Sequence, residues 1–161
     1  MRIALYHPEI AGNVGAILRT AACLGAGVDL IEPMGFVWDD KRVARAGMDY
    51  IDHVQVRRHS DWEAFLPTVT GRIILFTTRG ATRIDQTRFE PGDVLLFGSE
   101  GSGAPDQVHA RADLRVVIPV MPGMRSLNLS VSAGIALAEA LRQTGDLTLR
   151  SGRWSDSKTG G

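Results

Sequence analysis

A chain of 161 residues suffices for one domain that buries about 70% of the surface its unfolded form exposes, and no second domain is needed. Its 18 Lys and Arg balance 18 Asp and Glu, so there is no global basic field, and any nucleic-acid contact has to come from a local patch. Cys23 is the single cysteine and His7, His53, His59 and His109 show no metal-ligand spacing, which excludes a disulfide framework and leaves no metal expected. The opening apolar run, Ile3 to Tyr6, is too short for a signal peptide, and no later run approaches the ~18 residues of a membrane span. A soluble, cytoplasmic protein with no membrane partner is expected.

The first strand is predicted at Ile3 to Tyr6, closed by His7 and Pro8. Asn13 then reads as the N-cap of a helix in which Val14, Ile17, Leu18, Ala21 and Leu24 recur at helical spacing and Gly25 supplies the stop. At about 100° per residue, Arg19 falls nearly opposite that stripe and faces outward. Val28 to Ile31 predicts a second strand, and Asp39 reads as the cap of a short helix, Asp40 to Ala46, carrying Lys41, Arg42 and Arg45. A small strand is read at Val54 to Val56, and Ser60-Asp61-Trp62-Glu63 as a capping box in which serine and glutamate satisfy each other's backbone donors. Ile73 to Phe76, Val94 to Phe97 and Val116 to Ile118 are apolar runs that each open into a polar or glycine-rich loop, as buried strands do. A last helix, about Asn128 to Arg142, offers Leu129, Val131, Ile135, Ala138 and Leu141 to the core. Residues 1–150 are expected to form the single domain, with the polar residues 151–161 as a loose tail.

Strands alternating with helices predict an α/β fold, with a mainly parallel sheet and helices on both faces. In such sheets ligands bind beyond the carboxyl ends of the strands, where the loops at Thr77, Gly98 and Pro119 should gather. Common nucleotide and hydrolase signatures do not fit those loops. Residues 98–105 lack the lysine of a P-loop, and Gly25-Ala26-Gly27 follows a helix and precedes a strand, the reverse of a dinucleotide fingerprint. Gly98-Ser99-Glu100 is not the GxSxG elbow of a serine hydrolase.

Asn13 to Arg19 with Thr20-Ala21, then Gly98-Ser99-Glu100-Gly101-Ser102-Gly103, then Ile118 to Ser130 resemble, in order, the three motifs of the SpoU branch of the SPOUT methyltransferases. Ile31 to Phe36, Asp40-Lys41-Arg42 and Arg45 to Tyr50 further resemble the small, single-domain group that methylates the ribose 2'-oxygen of the tRNA wobble nucleotide. Gly98-Ser99-Glu100 is closer to the general ribose-methylating pattern than to the Gly-Pro-Glu of that group, and Ala138 stands where some relatives carry tyrosine. The resemblance implies S-adenosylmethionine as methyl donor, a C-terminal trefoil knot, a homodimer with its active site completed across the interface, and tRNA as substrate. Two alternatives stay open: another tRNA or rRNA nucleotide as target, or a non-catalytic RNA-binding module on the same fold.

By that resemblance Phe76, Thr77, Gly98, Ile118 and Ser126 line the donor pocket, and Arg19 handles the ribose hydroxyl. A guanidinium is a reluctant base, so stabilising a developing alkoxide or clamping a neighbouring phosphate is its easier task. Asn13, Glu100 and Asn128 are the remaining candidate catalytic residues, each with a competing structural role as a helix cap or loop carboxylate. Lys41, Arg42 and Arg45, with Arg57, Arg58 and Arg79, are candidate phosphate contacts, and only RNA offers the 2'-hydroxyl to be methylated.

Overall fold

The computed structural model describes residues 1–39, 50–80, 82–145 and 147. In chain order it contains β1 (Arg2–Tyr6), α1 (Ala11–Leu24), β2 (Gly27–Ile31), β3 (Val56–His59), α2 (Trp62–Phe65), β4 (Ile73–Phe76), β5 (Thr82–Arg83), β6 (Val94–Phe97), α3 (Asp106–Arg111), β7 (Leu114–Val117) and α4 (Leu129–Thr144). Single turns of 3-10 helix lie at Tyr50–His53, Leu66–Thr68 and Ile84–Gln86. The predicted helix at 40–46, with Lys41, Arg42 and Arg45, and the predicted tail lie outside the described residues.

The strands form one seven-stranded sheet in the order β3-β2-β1-β6-β4-β7-β5, with every pairing parallel. β4 and β6 are buried along their whole length, which is why they read as unbroken apolar runs with no polar face. Alternation along the strands divides the core in two. Ile3, Leu5, Ile74, Phe76, Leu95 and Phe97 face α1 and α4, while Ala4, Tyr6, Ile73, Leu75 and Leu96 face Trp62 and Phe65 of α2 and Val108 of α3. The expected layering, helices on both faces of a parallel sheet, is what forms. Gly25 ends α1 in the left-handed region at φ 63°, and its N–H donates to the carbonyls of Ala21 and Ala22.

Local expectations fail where a distant partner outbids a neighbour. Asn13 is not the N-cap of α1; Ile10 is, and Asn13 sits buried in the first turn. β3 is Val56–His59 rather than Val54 to Val56, because buried His59 meets Asp29 across the β2 pairing, with Nε2 2.9 Å from Oδ1. The capping box does not form at Ser60. Asp61 caps α2, its Oδ1 accepting the Ala64 N–H at 2.7 Å, since the shorter carboxylate already reaches that donor.

α4 turns a different face to the core than the large residues suggest. Ala133, Ala136, Leu137, Ala140 and Leu141 are buried, whereas Val131 and Ile135 are 48% and 40% exposed. α4 packs on α1 as well as on the sheet, and small side chains let the two helices approach closely.

Candidate active site

The carboxyl ends of β4, β6 and β7 open into loops that converge, with the N-terminus of α1, around a cavity of about 820 Å³. All the residues expected to hold a donor line it: Phe76, Thr77, Gly98, Ile118 and Ser126. So do Asn13, Glu100 and Asn128. Phe76 and Phe97 form an apolar wall, their rings stacked at 5.0 Å, and Phe89 stacks beyond Phe76 at 6.3 Å. An apolar wall facing a polar side, at this volume, is compatible with a small-ligand site.

The polar side of the cavity is one connected line. Asn128 Nδ2 donates to Asn13 Oδ1 at 3.0 Å, and Asn13 Nδ2 donates to Glu100 Oε1 at 3.1 Å. Glu100 also accepts the backbone N–H of Glu9 at 2.8 Å and of Ile10 at 3.2 Å. The first turn of α1 therefore receives its negative charge from a loop some 90 residues downstream, and this displaces Asn13 from the capping role. The carboxylate lies just ahead of the helix, on the N–H groups of Ile10, its N-cap, and of Glu9. At the other end of the line, Asn128 Oδ1 caps α4 by accepting the N–H of Ser130 at 2.9 Å and of Val131 at 3.4 Å. Asn128 caps α4 with its amide oxygen and reaches Asn13 with its amide nitrogen.

Gly98 earns its place for a different reason than ligand approach. A Cβ there would collide with the Gly103 carbonyl carbon and the Ala104 nitrogen, so the loop's own closure demands glycine. Ser99 and Gly103 exchange backbone hydrogen bonds of 3.1 and 2.9 Å, and the Ser99 and Ser102 hydroxyls meet at 2.8 Å. Arg79, counted among the candidate phosphate contacts, reaches Asp106 at 3.2 Å and the Ala104 carbonyl at 3.3 Å.

Residues 1–138 match the model of the SpoU rRNA methylase family. The chain belongs to that family. Within it, a tRNA (cytidine(34)-2'-O)-methyltransferase of Beijerinckia indica is 48% identical over 148 residues, which cover 90% of this chain and 92% of that protein. A structure solved for the 2-OH methylation of C/U34 on tRNA superposes with a TM-score of 0.83 at 45% identity, covering 88% of this chain and 94% of that one. An AdoMet-bound rRNA methyltransferase of Sinorhizobium meliloti superposes at 0.80 with 28% identity, covering 88% of this chain and 55% of that one.

In this SpoU methylase Arg19 stands apart from the other candidate catalytic residues, Asn13, Glu100 and Asn128. It is exposed on α1 as expected, with its guanidinium carbon 5.1 Å from the centre of the Tyr50 ring, but it does not line the cavity. Six residues beyond Asn13, it lies about 9 Å further along the helix axis. Sequence reasoning missed Glu9, whose carboxylate accepts the Gly101 N–H at 2.8 Å, and Tyr50 beneath Arg19. Only an acidic residue just ahead of α1 hinted at the first. His7, at the end of β1, has an unusual left-handed backbone (φ 49°) and stacks on Tyr6 at 3.8 Å. Burial holds its imidazole below the ordinary histidine value, partly opposed by a backbone contact with Glu32.

Proposed function

We propose that this SpoU methylase transfers a methyl group from S-adenosylmethionine to the ribose 2'-oxygen of the wobble cytidine or uridine of tRNA. The observation that carries the reading is the 48% identity, over nine-tenths of the chain, to a protein named for that reaction. The cavity agrees with it. Phe76 and Ile118 offer apolar walls, and Thr77, Gly98 and Ser126 bring loop polar groups to its rim, a donor set suited to a nucleoside with an aliphatic sulfonium arm.

The bound donor supplies a methyl group already activated by its sulfonium, so the chain's task is placement and charge stabilisation, and no metal is called for. Asn13, held at both ends of its amide by Glu100 and Asn128, fixes the edge of the cavity where the acceptor ribose enters. Arg19 supplies positive charge to the developing alkoxide or to the adjoining phosphate. Because Arg19 lies outside its own cavity, the reading pairs two copies of the chain, each lending its arginine to the other. Exposed Met121, Val131 and Ile135 offer apolar side chains to that homodimer. A C-terminal trefoil knot, a single domain over 1–150 with a loose tail, phosphate contacts from Lys41, Arg42 and Arg45, and a cytoplasmic setting complete it.

The test is methyl transfer from labelled S-adenosylmethionine to unmodified bulk tRNA, with nucleoside mass spectrometry of the product. 2'-O-methylated cytidine or uridine mapped to the wobble position is the expected result. Transfer to rRNA alone would move the target, and no transfer despite donor binding would leave an RNA-binding module. Arg19→Ala should lower kcat by about 100-fold or more while leaving donor Kd nearly unchanged, as loss of a charge-stabilising group does.

A further inference from the structure

The line from Asn128 through Asn13 to Glu100 leaves one carboxylate at its end unaccounted for. Glu9, exposed between β1 and α1, places Oε2 2.8 Å from the backbone nitrogen of Gly101, and its own N–H donates to Glu100 Oε2 at 2.8 Å. Each segment therefore takes hold of the other: the Glu100 side chain grips the backbone ahead of α1, and the Glu9 side chain grips the backbone beside Glu100. Both bonds are of the charge-assisted kind, roughly twice as strong as neutral ones.

Two glycines and one backbone hydrogen bond frame the arrangement. A Cβ on Gly101 would stand 3.0 Å from Glu9 Oε2, so the carboxylate packs close against the loop backbone. Behind Glu9, the Gly35 N–H donates to the Pro8 carbonyl at 2.9 Å, and a Cβ on Gly35 would press on the Glu9 backbone at 2.8 Å. The loop's internal bonds, Ser99 with Gly103 and Ser99 with Ser102, set its shape but not where it sits against α1. Among the described residues, the hydrogen bonds that set it there are those of Glu9 and Glu100.

We propose that Glu9 is a positioning residue for methyl transfer: by holding Gly101 it keeps the Glu100 carboxylate on its three donors and, through it, Asn13 at the cavity edge. The proposal rests on the methyl-transfer reading of the site. Glu9 acts through Glu100 and does not touch substrate. What it needs is an acceptor oxygen, so glutamine can replace it and alanine cannot.

The experiment is steady-state kinetics on the full chain with tRNA, for wild type, Glu9→Ala, Glu9→Gln, Glu100→Gln and the Glu9→Ala/Glu100→Gln double variant, with thermal midpoints measured alongside. Glu9→Ala is expected to lower kcat about tenfold with its midpoint close to wild type, and Glu9→Gln to recover kcat to within about twofold. In the Glu100→Gln background Glu9→Ala should cost little more, since the two act through one link. Amide hydrogen exchange at residues 99–103 should quicken in Glu9→Ala and not in Glu9→Gln. An unchanged kcat, a full further loss in the double variant, or a fall that tracks the midpoint and is not rescued by glutamine overturns the proposal while leaving the methyl-transfer reading standing. A wild-type protein that transfers no methyl to any RNA overturns that reading, and this proposal with it.

Discussion

Two polar networks sit on the same sheet, one centred on a buried carboxylate and one at the edge of a cavity. At the β2–β3 end, Asp29 is 2% exposed and its oxygens are saturated by the Arg2 guanidinium and, at 2.9 Å, by His59 Nε2. Those groups stand on adjacent parallel strands, and Arg2 carries the network on to the Gln55 side-chain oxygen at 2.8 Å. At the carboxyl edge, Asn128, Asn13 and Glu100 come from segments up to 115 residues apart, make contacts through uncharged amides and backbone N–H groups, and face a cavity. The lesson is that burial and satisfaction of polar atoms do not by themselves mark a site. What separates the two is place: the second edges the cavity at the carboxyl ends of the strands, where the loops of a parallel sheet meet ligands.

The difference is sharpest under mutation. Asp29→Ala leaves a guanidinium and an imidazole without their shared carboxylate and should cost about 3 kcal/mol or more in unfolding free energy, as breaking a buried pair does. A denaturant melt checks this, and kcat per folded molecule should stay at the wild-type level. If activity fell while stability held, the Asp29 cluster would belong to the working site after all.

Asn13→Ala is the converse. It strands one Glu100 oxygen and the Asn128 amide, a loss of about 1–2 kcal/mol for unmet hydrogen bonds, partly relieved because both partners keep backbone donors or acceptors. Turnover should fall by more than about tenfold, out of proportion to that loss, because the residue edges the cavity. Comparable declines in stability and activity would reduce the Asn13 line to scaffolding like that around Asp29.

The same contrast explains what could be read from residues alone. β1, β4 and β6 announce themselves because a strand buried on both faces must be apolar at every position. α1 was legible from a stripe its own side chains define. The convergence of the loops at Thr77 and Gly98 followed from a general property of parallel sheets. Asn13 was misread because its cap competitor, Glu100, arrives from the other end of the chain, and no local pattern carries that distance. The face of α4 was misread because hydrophobicity favours Val131 and Ile135, whereas contact with α1 selects alanines. Glu9 left only a faint local signal for the reason Asn13 was misread: its partner, Gly101, adjoins it only in space. Arg19 could be turned outward by periodicity, but its separation from the cavity required the fold.

The smallest expected effect concerns a link between α4 and the cavity wall. Glu139 accepts hydrogen bonds from Arg142 Nε and Nη2 and from Gln143 Nε2, each at 2.8 Å. Gln143 in turn accepts the Phe89 N–H at 2.9 Å and donates to the Thr87 carbonyl at 2.9 Å, holding the segment whose Phe89 stacks on Phe76. Arg142 first, then Gln143, draw the Glu139 carboxyl down from 4.5 to about 2. A depressed folded value means that the unfolded chain takes up its proton first as pH falls. The stabilisation is therefore present above about pH 4.5 and is lost as pH descends through about 2. Glu139 lies near the surface, where solvent screening keeps the contribution to about 1 kcal/mol or less. Glu139→Gln should accordingly be slightly less stable than wild type at neutral pH, with the gap closing in urea melts between pH 4.5 and 2. A gap that stayed constant across that window would assign the effect to packing around Gln143 rather than to the charge, and would make this third network resemble the Asp29 cluster in being purely structural.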